Sequence, residues 1–89
     1  MNSKNIWVIN IPKKIAKKIA KFPKNDQLKI IDALQCLEAD PWTGDIIKIQ
    51  GELNLWRRRI GNYRIFFALY LDAKIVYILN IERRTSSTY

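Results

Sequence analysis

Histidine is absent from the sequence. Its absence removes the commonest general base, the Ser–His and Cys–His nucleophile pairs and the usual zinc sites. With a single cysteine, Cys36, neither an intramolecular disulfide nor a thiolate metal cluster can form. Cys36 reads instead as a small side chain on an apolar helix face. Metals and cofactors are therefore not expected. Long apolar runs are missing too. Ile6 to Ile11 is too short for a signal peptide, and Ile65 to Leu71 cannot cross a bilayer, which predicts a cytoplasmic protein without membrane association. No repeat, linker or low-complexity tract divides the chain, and the expectation is one domain over residues 1–89.

What remains is apolar and basic. Hydrophobic residues make up 48% of the 89 residues and aromatics 11%, well above the level of a disordered chain despite a net charge of +8. Sixteen Lys and Arg against eight Asp and Glu concentrate polyanions at the surface, so nucleic acid or an acidic protein is the natural partner.

Ile6 to Ile11 predicts a strand stopped by Pro12. From Lys13 to Phe22 the spacing turns helical, with Ile15, Ile19 and Phe22 on one face and five lysines around the rest. Pro23 ends that helix. A second one, capped by Asn25 or Asp26, is predicted to run to about Ala39 with Ile30, Ile31, Leu34 and Leu37 inward. Beyond Gly44 the texture is that of strands: Ile46 to Gln50, Leu53 to Ile60, Tyr63 to Leu71 and Lys74 to Ile81. The predicted class is α+β, in the order β-α-α-β-β-β-β, with an antiparallel sheet backed by a helical hairpin.

Gly61-Asn62 is a strong two-residue hairpin signal, and it fixes a register. Ile60 then faces Tyr63, Arg59 faces Arg64 and Arg57 faces Phe66. Alternation sends Arg57, Arg59 and Arg64 to one side of the sheet. A two-residue Asp72-Ala73 turn extends this register to pair Arg64 with Ile81 and to bring Arg83 to the same side. Like charges placed opposite one another destabilise a sheet unless an anion lies between them, and the guanidinium fork suits phosphate. Tyr63, Tyr89 and Trp56 are candidates to stack on bases. The alternative is a solvated face paired with Glu52 or Glu82. The first-helix lysines read as solvated or as phosphate-steering.

Residues Leu53 to Arg64 resemble the RelE/ParE superfamily of toxins from toxin–antitoxin systems. Trp56, Arg59, Ile60, Gly61, Asn62, Tyr63 and Arg64 match its pattern of tryptophan, arginine, small apolar residue, glycine, polar residue and tyrosine–arginine. Asp40-Pro41, Gly44-Asp45, Lys48-Ile49 and Gly51 fit upstream, and Ile81-Glu82-Arg83 with Tyr89 fit downstream. In the RelE-like branch the resemblance implies ribosome-dependent cleavage of messenger RNA, in which the 2′-hydroxyl attacks the adjacent phosphate and translation stops.

Carried onto this chain, the resemblance gives Arg64, Arg83, Tyr89 and Arg59 catalytic roles. Arg64 would stabilise the phosphorane, Arg83 would do so too or protonate the leaving oxygen, and Tyr89 would orient the substrate. Arg57, Lys48, Tyr63 and Arg84 would contact RNA. Arginine cannot accept a proton near neutral pH, and Arg57 and Arg59 stand where that branch has lysines. The general base is thus open among Lys48, Glu52 and Asp45. Arg58 replaces an apolar residue, and Glu82 a histidine. The implied partners are the ribosome, its message and an acidic-leaning antitoxin that wraps the toxin in a hetero-oligomer. The same motif serves ParE-like toxins, which block DNA gyrase without cutting nucleic acid, and a plain RNA-binding module needs only the basic face.

Overall fold

The computed structural model describes residues 7–51 and 54–84. Its order is β1 (Val8–Asn10), α1 (Lys13–Ala20), α2 (Lys24–Ala39), β2 (Asp45–Lys48), β3 (Leu55–Ile60), β4 (Tyr63–Tyr70) and β5 (Ile75–Arg83). The α+β class and the predicted succession are both observed. The five strands form one sheet in the order β1-β5-β4-β3-β2. Every pairing is antiparallel except that of β1 with β5, which is parallel. Parallel pairing requires a crossover, and everything from α1 to β4 supplies it.

Both helices cover one face of the sheet. Alternation along β4 buries Tyr63, Ile65, Phe67 and Leu69, which meet Val76, Ile78 and Ile81 of β5. Ile15 and Ile19 of α1 and Ile30, Ala33, Leu34 and Leu37 of α2 close the core from above. Burying one such side chain stabilises the fold by about 1.5–3 kcal/mol. Ile31 departs from the predicted inward set: it is 44% exposed, and Ala33 is buried in its stead. The α2 stripe runs 30, 33, 34, 37, the spacing of a single helical face, and Ile31 lies about 100° off it.

The start of α2 also differs from expectation. Pro23 occupies the capping position, and no side chain caps the helix. Asp26, expected as a cap, instead accepts a 2.6 Å hydrogen bond from the Tyr63 hydroxyl. No described helix is long and apolar enough to cross a membrane.

Candidate functional site: the arginine face of the sheet

The sheet face turned away from the helices carries the basic cluster. Gly61 takes φ +56°, the left-handed conformation a tight hairpin asks of its first central residue. The turn sets the predicted register: Ile60 opposite Tyr63, Arg59 opposite Arg64 and Arg57 opposite Phe66. Arg57, Arg59 and Arg64 therefore share the open face. Arg57 Nε and Arg64 Nε are shut off from solvent and, among the described residues, have no hydrogen-bond partner. A buried, unpaired N–H is costly, and an anion on this face would relieve it; Arg58 Nε on the helix side is buried and unpaired in the same way. Arg59 has only a loose ion pair, 3.9 Å from Nε to the Asp45 carboxylate across β2.

The predicted position of Arg83 needs correction. The expected register holds from Tyr70–Ile75 through Phe67–Ile78, then shifts by one between Phe66 and Phe67. Leu79 is the extra residue of a β-bulge, 41% exposed, and beyond it Phe66 faces Asn80 and Arg64 faces Glu82. Arg83 consequently lies opposite Tyr63 on the helix side, its guanidinium 5.9 Å from that ring. The buried residues of β5 are Val76, Ile78 and Ile81, a spacing of two and then three that the unbroken apolar run from Ile75 to Leu79 conceals in the sequence. A strand that keeps its core face across a three-residue step must bulge.

Other sequence-predicted residues also fall elsewhere. Tyr63 is 3% exposed, packed on Phe22 with ring centroids 4.9 Å apart, and cannot stack on a base. Burial and then the hydrogen bond to Asp26 push its hydroxyl above its ordinary pKa. Trp56 faces the helix side and meets Trp42 edge-on at 5.2 Å. Lys48 pairs with Trp56 and so lies on that side too. Arg58 shares it: its guanidinium lies against Gly44 and donates to the Thr43 carbonyl at 3.3 Å. Arg84 follows β5, its backbone N–H bonded to the Asn62 carbonyl beside the hairpin turn. Tyr89 and Glu52 lie outside the described residues.

Two residues named in the sequence only as neighbours of the arginines also lie on this face. Phe66, half-buried between Arg57 and Asn80, is the aromatic ring beside the arginines. Glu82 brings a carboxylate directly opposite Arg64. Four strands thus set Asp45, Arg59, Arg64 and Glu82 in one row across the sheet. Among the described residues no group of three or more His, Cys, Asp or Glu is placed to hold a metal ion.

The strand, the two helices and the five-stranded sheet together form a fold shared with solved RelE toxins. The fold matches RelE in the archaeal RelE–RelB complex from Pyrococcus horikoshii OT3 with a TM-score of 0.76 and 26% identity, over 91% of this chain and 98% of that one. The isolated Escherichia coli RelE toxin has the same fold at 12% identity, with a TM-score of 0.76 over 91% of this chain and 87% of that one. The curated RelE1 protein of Methanocaldococcus jannaschii is 27% identical over 79 residues, covering 85% of this chain and 88% of that protein. Residues 10–87 match the family described as the ParE toxin of the type II toxin–antitoxin system parDE. The chain belongs to that family: it is a RelE-like toxin of a type II toxin–antitoxin system.

Proposed function

We propose that this toxin is a ribosome-dependent endoribonuclease that cuts messenger RNA and so halts translation. The supporting observation is the pair Arg59–Arg64, set face to face by the Gly61-Asn62 turn, with Arg57 alongside and two guanidinium Nε atoms buried without partners. Such a cluster is preorganised positive charge for a phosphodiester whose charge rises in the transition state. Arg64 takes the phosphorane oxygens, Arg59 and Arg57 hold the flanking phosphates, and Phe66 offers a stacking face. Arg83, on the other side of the sheet, is given no role in this reading. Arg84 sits at the rim, where it can reach the RNA backbone.

An acidic-leaning antitoxin is the proposed silencing partner, in keeping with the +8 charge and with the solved RelE–RelB complex from P. horikoshii. The decisive experiment incubates purified toxin with ribosomes stalled on a defined message and maps RNA ends by primer extension. New ends within the decoding-site codon support the reading, and an intact message at excess toxin rejects it. A second reading is favoured by the family match to ParE and by the inability of three guanidinium groups to accept a proton: inhibition of DNA gyrase by protein contact. Loss of supercoiling by gyrase, with the message left whole, would select it.

A further inference from the structure

The arginines lack a proton acceptor, and the row across the sheet supplies one. We propose that Glu82 is the general base of RNA cleavage, an assignment that rests on the nuclease reading above. Three observations converge on it. The bulge at Leu79 sets Glu82 directly opposite Arg64, the arginine whose Nε is buried without a partner. Its exposed carboxylate also has a donor nearby: Asn80 Nδ2 lies 3.4 Å from Glu82 Oε2, and Asn80 Oδ1 in turn accepts from Lys18 Nζ at 3.1 Å and from the Ile81 N–H at 2.9 Å. Finally, among the described residues no cationic nitrogen lies within salt-bridge distance of Glu82, whereas Asp45, the other carboxylate of the row, is tied to Arg59.

The charged groups facing Glu82 are few. Arg64 is its neighbour on β4, and Lys18 of α1 reaches it only through Asn80. On its own strand Arg83 projects to the other side, and Arg84 follows at the strand's end. Asp45 stands three strands away, about 14 Å at the usual strand spacing. One phosphodiester gripped by Arg64 therefore brings its ribose within reach of Glu82 and out of reach of Asp45.

The step balances without a further reagent. The 2′-oxygen bonds to phosphorus while its proton passes to a carboxylate oxygen of Glu82. The bond from phosphorus to the 5′-oxygen breaks, its electron pair leaves with that oxygen, and the oxygen takes a proton from water. A 2′,3′-cyclic phosphate and a 5′-hydroxyl result, and Glu82 returns its proton to solvent. A carboxylate suits the role because it can accept a proton, which the guanidinium groups beside it cannot.

Single-turnover cleavage of a programmed ribosome by the full-length toxin, followed between about pH 6 and 8.5, tests the assignment. Wild type should give a nearly flat profile. Glu82→Gln should slow cleavage about 100-fold near neutrality and acquire a slope of about one log unit per pH unit, because hydroxide must then do the deprotonating. Glu82→Asp should restore the flat profile at a reduced rate, and neither variant should bind the ribosome more weakly than wild type. Asp45→Asn should keep the wild-type profile. The assignment is overturned if Glu82→Gln stays flat within about threefold of wild type, or if Asp45→Asn alone gains the slope. Wild-type toxin that cuts nothing overturns the nuclease reading along with it, so the two failures are told apart by the wild-type lane.

Discussion

Arg64 is the side chain on which the proposed chemistry turns. Replacing it with alanine should lower single-turnover cleavage by about 100-fold or more, the usual cost of losing one preorganised donor at a developing oxyanion. Lysine at the same position keeps the charge but loses the two-pronged fork, so Arg64→Lys should recover only part of that loss. Tyr63, one residue away, answers to a different constraint. Its hydroxyl holds Asp26 at the start of α2, and Tyr63→Phe should cost about 1.5–3 kcal/mol in urea unfolding, since the lost bond is to a carboxylate.

The same residue carries a pH signature. Burial and the bond to Asp26 raise its folded-state pKa above the ordinary 10.0. Its contribution is thus fully present below pH 10.0 and is lost as pH climbs through the folded value, where the native state holds the proton more tightly than the unfolded one. Wild-type stability should therefore fall more steeply than that of Tyr63→Phe in alkaline urea titrations. Equal slopes would disprove the coupling.

At the scale of elements, hairpin chemistry proved the most legible part of the sequence. Gly61-Asn62 between two strand-like runs dictated a register that the sheet keeps residue for residue, because a two-residue loop leaves no slack. The β4–β5 connection was legible only at its near end. There the two strands obey the predicted pairing as far as Phe67–Ile78, and the bulge then moves Arg83 away from the arginines and Glu82 toward them. The bulge accommodates one surplus residue between two core positions, so deleting Leu79 should leave a regular ladder with Ile81 still inward and Glu82 still opposite Arg64. The shortened strand should retain its fold, with a midpoint of thermal unfolding within a few degrees of wild type and cross-strand contacts from Arg64 to Glu82 by NMR. Loss of those contacts would show that the bulge itself, rather than the count of residues, sets the pairing. In α2 the misjudged Ile31 has a simple origin: two adjacent isoleucines offer two helical phases, and only packing against the sheet selects one.

For the whole molecule, the net charge of +8 makes the encounter with RNA that the proposed function requires a matter of ionic strength. Affinity should fall with added salt, each phosphate contact adding about 0.7–0.9 to the log–log slope, and Arg64→Ala should flatten that slope by about one contact. An unchanged slope would mean that Arg64 does not meet a phosphate. The same charge favours an acidic antitoxin, so antitoxin binding should weaken with salt as well.

The sequence by itself determined the class of fold, the Gly61-Asn62 hairpin and the clustering of Arg57, Arg59 and Arg64, because periodicity and a tight turn act over a few residues and need no distant partner. It also excluded imidazole chemistry and an intramolecular disulfide by composition. Only the tertiary structure decided which face of the sheet the helices cover, and that choice buries Tyr63 while leaving Arg64 open. It likewise decided that β1 runs parallel to β5 and that the far half of β5 slips by one residue. Those outcomes rest on contacts between segments distant in the chain. They fix which face each side chain joins, and with it the placing of Glu82 beside Arg64.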